Sequence, residues 1–192
     1  MAMKLEIIIG STRPKRISPT IAHWVQHSAI QHGGFEVPLV DLAEVNLPLL
    51  DEDAHPRLKA YEHEHSKRWS AIVDAADAFV FITPEYDYFP SAALVNAIQY
   101  LALEWRRKPA GIVSYGGISG GLRAAQILRQ LLASLNVHPL PQVVPVPNFP
   151  QFIGEDQLFQ PNPPMSQGMT VMLDELVLWS RALQRMRQEA TA

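Results

Sequence analysis

The stretch KLEIIIGSTRPKRISPT (residues 4–20) decides how the chain is read. Leu5 and the β-branched Ile7–Ile9 make a short apolar run of the kind that fills a buried strand. Gly10 stops it. Two hydroxyls, Ser11 and Thr12, and three cations, Arg13, Lys15 and Arg16, follow in a loop. Ser18 then reads as an N-cap with Pro19 at the first helical position. Ile21, Ala22, Trp24, Val25, Ala29 and Ile30 recur at helical spacing until Gly33-Gly34 ends the helix. A strand, a polar loop and a helix in that order form the first half of a crossover unit.

The pattern repeats along the 192 residues. Strands are expected over 35–42, 78–83, 109–115 and 141–146, with Pro38 marking the first of these as an edge strand. Helices are expected over about 57–76, 91–105 (Ser91 as cap), 122–135 and 167–188. Residues 43–66 read as irregular, and 139–164, with half of the sixteen prolines, as largely loop. Five strands alternating with helices predict a single α/β domain over 1–192, a three-layer sandwich with a five-stranded parallel sheet. The flavodoxin-like order 2-1-3-4-5 fits that length. Ligands of such sheets bind beyond the carboxyl ends of the strands, near the switch point. Loops 10–18, 84–90 and 115–121 should open there together.

Composition narrows the chemistry. Cysteine is absent, which excludes disulfides, thiolate metal sites and cysteine nucleophiles. A net charge of -3 gives no global basic excess for nucleic acid, so an anion site must be local. No apolar stretch reaches the roughly 18 residues of a membrane span. A soluble cytoplasmic protein is expected.

The first loop lacks the glycines of a Walker A or dinucleotide motif. Its hydroxyls at Ser11, Thr12, Ser18 and Thr20, with Arg13 or Arg16 as a bidentate cation, suit one terminal phosphate at a helix start. An ordinary basic surface loop is the alternative. The second loop, TPEYDYFPSAAL (83–94), sets Tyr86, Tyr88 and Phe89 at a strand end, where they would face a flat ligand or a neighbouring subunit. The third, SYGGISGGLRAA (114–125), has four glycines in six residues, which let backbone N–H groups approach a ligand. It also matches G-x-S-x-G. The hydrolase triad then needs an acid followed by His, and no Asp or Glu lies between Ser119 and His138. Ser119 is therefore read as a loop hydroxyl.

With GSTRPKRISPTIA, TPEYDYFPSAALVNAI and EWRRKPAGIVSYGGISGGLRA in this order, the chain resembles the NAD(P)H-dependent FMN reductase family, which includes quinone, azo and chromate reductases. The resemblance spans about residues 4–180. It implies that Ser11, Arg13, Ser18, Pro19 and Thr20, with Arg16 as the other candidate cation, hold the FMN phosphate. Pro84, Glu85, Tyr86, Asp87 and Tyr88 would line the flavin, and Ser114, Tyr115, Gly116 and Gly117 would cradle its ring. It further implies NAD(P)H as co-substrate, a small electron acceptor, and a homodimer or homotetramer. Asp87 stands where the family usually has Asn, and Val95 and Gln99 replace charged residues of the next helix.

The implied reaction carries hydride from nicotinamide to flavin and on to an acceptor. The N–H groups of Gly116 and Gly117 are candidates to stabilise charge on the ring, and no catalytic side chain is required. An electron carrier of flavodoxin type and a flavin-free regulatory relative are the alternatives. A carrier is usually strongly acidic, which -3 is not. His63 and His65, read as i and i+2 on a polar helix, face apart and make poor joint metal ligands. Trp24, Trp69 and Trp179 read as core, and Trp105 as the anchor of a helix end or a subunit contact.

Overall fold

The computed structural model describes residues 2–189. Strand β1 (Met3–Ile9) leads to α1 (Ser18–His32), then to two short strands, β2 (Phe35–Glu36) and β3 (Leu39–Asp41). Helices α2 (Leu42–Val45) and α3 (Glu64–Asp74) follow, then β4 (Ala78–Pro84), α4 (Ala92–Gln99), β5 (Pro109–Tyr115), α5 (Leu122–Ser134), β6 (His138–Val146) and α6 (Pro163–Glu189). All pairings among these strands are parallel. The sheet runs β2-β1-β4-β5-β6, with β3 also on β1. This is the flavodoxin-like order, with the expected second strand divided. Pro38 has no N–H for a ladder, and its carbonyl takes the N–H of Ile7 at 3.2 Å, so pairing lapses there and resumes at Leu39.

Every residue of β4 and β5 is buried, as helices on both faces demand. Strand alternation deals the side chains to two cores. Leu5, Ile7, Ile9, Val80, Ile82, Val113 and Tyr115 face α1 and α6. Ile8, Phe79, Phe81, Ala110 and Ile112 face α3, α4 and α5.

Several element boundaries differ from the sequence expectation. The helix predicted over 57–76 begins only at Glu64, because Glu52 accepts the N–H groups of Glu62 and His63 and holds that segment extended. The helix predicted over 91–105 stops after Gln99. Trp105 turns back into the second core, where its ring meets Phe79 at 5.0 Å and Trp69 at 5.9 Å and its N–H reaches the carbonyl of Ile98 at 3.1 Å. Trp105 thus anchors the end of α4, as expected, from inside. Trp69 is buried, whereas Trp24 and Trp179 are only partly so. β6 starts at His138 and α6 at Pro163, both earlier than proline content suggested.

Trp105→Ala should lower the unfolding free energy by about 3–5 kcal/mol, because it empties the centre of the second core. Urea unfolding of the variant checks this, and a loss under ~1 kcal/mol would place the ring outside the core.

Candidate flavin site

The chain leaves β1 and runs to the far edge of the sheet. It returns through β4 on the other side of β1, so the switch point lies between these two strands. Their carboxyl ends are tied at Gly10, whose N–H donates to the Ile82 carbonyl at 2.9 Å. A side chain there would begin 2.8 Å from that carbonyl oxygen and 3.0 Å from Leu94, so only glycine fits. The Gly10 carbonyl accepts the Ser91 hydroxyl, which also caps α4 through the Leu94 N–H at 3.3 Å. Beside this junction opens a cavity of about 410 Å³. It is lined by residues 13–17, by Pro84, Glu85 and Tyr86, and by Tyr115, Gly116 and Phe149.

The first loop departs from expectation at Ser18. Ile17 takes the N-cap position and caps with no side chain, while Ser18 is the first helical residue, with Pro19 after it. Ser18 is fully buried, and its hydroxyl, beside that of Tyr115, makes no hydrogen bond of ordinary geometry. Arg16 Nε is likewise buried without a partner, although the far end of its guanidinium pairs with Asp41 at the end of β3. Thr20 is already engaged with the Gln157 carbonyl at 3.0 Å. Arg13 is exposed and has no ion pair among the described residues. Two buried donors without well-formed partners, an exposed arginine and a helix start therefore lie within residues 13–18, and these are groups that suit an anion.

The third loop divides by strand parity. Tyr115 points to the α1 face, where its hydroxyl lies by those of Ser18 and Ser11 and its ring meets Phe149 edge-on at 5.6 Å. Burial pushes the phenol up to about 12, against a smaller pull from those hydroxyls. Ser114 points to the opposite face and is spent on the Gly120 carbonyl at 2.8 Å. Gly116 lines the cavity, but its N–H donates to the Val146 carbonyl at 3.3 Å and is not free for a ring. Gly117 is exposed, and its carbonyl accepts from Gly120 and Asn148. Gly121 sits at φ +80, where an added Cβ would be 2.7 Å from the Tyr115 nitrogen.

The second loop is a tight hairpin. Tyr86 and Phe89 exchange both backbone hydrogen bonds at 2.9 Å, and Asp87 and Tyr88 between them have φ +48 and +76. These left-handed values define a type I′ turn. Asp87 tolerates that conformation as Asn does, whereas Tyr88 is strained in it. Tyr86 turns inward, its hydroxyl 3.1 Å from Ser11 Oγ, and joins the first loop to the second. Tyr88 and Phe89 are 57% and 58% exposed. The Tyr88 ring lies on the Arg123 guanidinium at 3.9 Å. Glu85 contributes to the wall, but its carboxylate accepts from Ser119 and Arg123. Burial works against that charge. The bonds from Arg123, Ser119 and the Ala124 N–H outweigh it and hold the carboxyl below the usual glutamate range.

Of the predicted residues, Arg13, Arg16, Pro84, Glu85, Tyr86, Tyr115 and Gly116 therefore share one cavity. Ser11 and Ser18 are buried next to it, and Asp87, Tyr88, Ser114 and Gly117 are not part of its lining. Phe149 was missed in a proline-rich stretch, where a lone aromatic gives no periodic signal. Among the described residues no group of three or more His, Cys, Asp or Glu is arranged to hold a metal. His63 precedes α3 instead of lying on it, so its ring stacks on His65 at 5.2 Å, contrary to the helical reading. No helix of the described residues is long and apolar enough to cross a membrane.

This fold defines a flavodoxin-like α/β protein with a cavity at its switch point. Among solved structures it is similar to a flavoenzyme NAD(P)H:acceptor oxidoreductase from Paracoccus denitrificans (TM-score 0.72, 20% identity, 94% of this chain and 98% of that one). Residues 3–151 match the profile of the NADPH-dependent FMN reductases. An NAD(P)H-dependent FMN reductase of Schizosaccharomyces pombe is 42% identical over 126 residues, 65% of this chain and 63% of that protein. One from Saccharomyces cerevisiae is 36% identical over 162 residues, 77% of this chain and 84% of that protein. An NADPH azoreductase of a Bacillus species is 32% identical over 144 residues, 74% and 75% of the two chains. The chain belongs to the NADPH-dependent FMN reductase family, and is an oxidoreductase of that family.

Two outcomes follow from the loop geometry. Gly121→Ala should destabilise the fold by more than ~1 kcal/mol, since Ala is incompatible with that φ; an unchanged Tm would contradict it. Glu85 titrates lower in the folded state than in the unfolded one. It therefore adds stability above the unfolded glutamate pKa, about 4.3, and that stability fades as pH falls through the folded value. The Glu85→Gln variant should show a shallower loss of stability below about pH 4.3, and an equally steep acid limb would contradict the assignment.

Proposed function

We propose that the cavity binds FMN and that the chain passes hydride from NAD(P)H through it to a small acceptor such as a quinone, a flavin, an azo dye or a metal oxyanion. The observation that carries this reading is the pair of buried, unpartnered donors, Ser18 Oγ and Arg16 Nε, beside the exposed Arg13 at the start of α1. They fit a terminal phosphate, and a neighbouring cavity of about 410 Å³ walled by Tyr86, Tyr115 and Phe149 fits a flat ring.

When bound, the flavin supplies the redox chemistry. The protein supplies placement. Arg16 is braced by Asp41, so its Nε is pre-oriented, whereas Arg13 is free to close on the phosphate. Tyr86 and Tyr115 bring hydroxyls to the phosphate side and ring faces to the cavity. Glu85 keeps its charge turned toward α5. No side chain lining the cavity needs to act as acid or base. The exposed Phe89 and Ile118 flank the loops and support a subunit contact there, in a cytoplasmic homodimer or homotetramer.

Anaerobic mixing of FMN-loaded protein with NADPH, and separately NADH, tests the proposal. The yellow flavin absorbance should bleach and return on adding quinone. A flavin that binds but does not bleach would make the chain an electron carrier, and no FMN binding at all would make it a flavin-free relative. Arg13→Ala should weaken FMN binding by about tenfold or more, the worth of a charged hydrogen bond. Unchanged affinity by fluorescence titration would move the phosphate contact to Arg16.

A further inference from the structure

The Glu85 side chain is 5% exposed, yet it belongs to the wall segment between Pro84 and Tyr86. Its N–H donates to the Tyr115 carbonyl at 3.0 Å, and its Cβ abuts Gly116. The carboxylate is turned to the start of α5 and fully bonded there. Oε1 accepts from Ser119 Oγ at 3.0 Å and Arg123 Nε at 2.6 Å, and Oε2 from the N–H groups of Arg123 at 3.1 Å and Ala124 at 3.5 Å. Arg123 also reaches Ser119 Oγ at 3.2 Å, and its flat face carries the ring of Tyr88. One guanidinium therefore touches the second loop twice and the third loop once. The hairpin that it covers holds two consecutive non-glycine residues at positive φ. Such a turn persists only if its surroundings hold it.

Resting on the FMN reading above, we propose that Arg123 is a positioning residue for the flavin site whose main task is to neutralise Glu85 behind the cavity wall, with its packing on the Tyr88 hairpin secondary. Its removal leaves a nearly dry carboxylate beside the flavin. An uncompensated negative charge there opposes the dianionic phosphate and the electron-rich reduced ring alike. Loss of packing alone would act whether or not Glu85 keeps its charge.

The test compares Arg123→Met, Glu85→Gln and the double variant, by FMN titration of apo-protein and by the flavin midpoint potential. Arg123→Met should raise the FMN Kd about tenfold and lower the potential. In the double variant both should return most of the way to wild type, with Kd within about threefold. Glu85→Gln alone should raise the potential, because it leaves the guanidinium uncompensated, and it stands as the test if Arg123→Met does not fold. Equal values in single and double variants, wild-type values in Arg123→Met, or a potential that Glu85→Gln leaves unmoved would each overturn the proposal. If the wild-type protein binds no FMN, the flavin reading itself falls instead.

Discussion

The site hangs on the contact between Gly10 and strand β4. The Gly10 N–H and the Ile82 carbonyl close the ends of two parallel strands, and the Ser91 hydroxyl ties the Gly10 carbonyl to the start of α4. No Cβ fits between them. Because the strands end together, the loops that leave them emerge side by side, and Ser11 can meet Tyr86 across 75 residues of sequence. A larger residue at position 10 would separate the strand ends and, with them, the two walls of the cavity.

Alternation then decides what each wall offers. The period of two that sends Val113 to one core and Ile112 to the other continues past the point where the strand stops being merely structural. Tyr115 thus faces α1, and Ser114 faces the start of α5. The opposite facing of these two side chains is already implied by the alternation in PAGIVSY. The strand order, the three loops and most of the cavity lining are legible in the same way, because buried strands, capped helices and glycine turns carry local signals.

What local signals do not carry is pairing over distance. Nothing near Arg16 announces Asp41, and nothing in TPEYDYFP announces Arg123, yet these two ion pairs determine which charges remain available to a ligand. Arg16 is held and half-neutralised, while Arg13 is free. Glu85 is charged but turned away. The same holds for Ser18, which reads as a cap and is instead a buried hydroxyl without a partner, because Ile17 takes the turn ahead of it. Phe149 enters the cavity from beyond β6, on a short 3-10 turn that a proline-rich stretch disguises.

The proposed site makes the phosphate the anchor of the ligand and the ring its passenger. The most direct measurement is the affinity of the apo-protein for FMN set against riboflavin, which differs only in lacking the phosphate. With Ser18, Arg16 and Arg13 receiving that group, FMN should bind on the order of a hundredfold more tightly. Equal affinities for the two flavins would contradict the account, because the buried donors at the start of α1 would then serve something other than the flavin's phosphate.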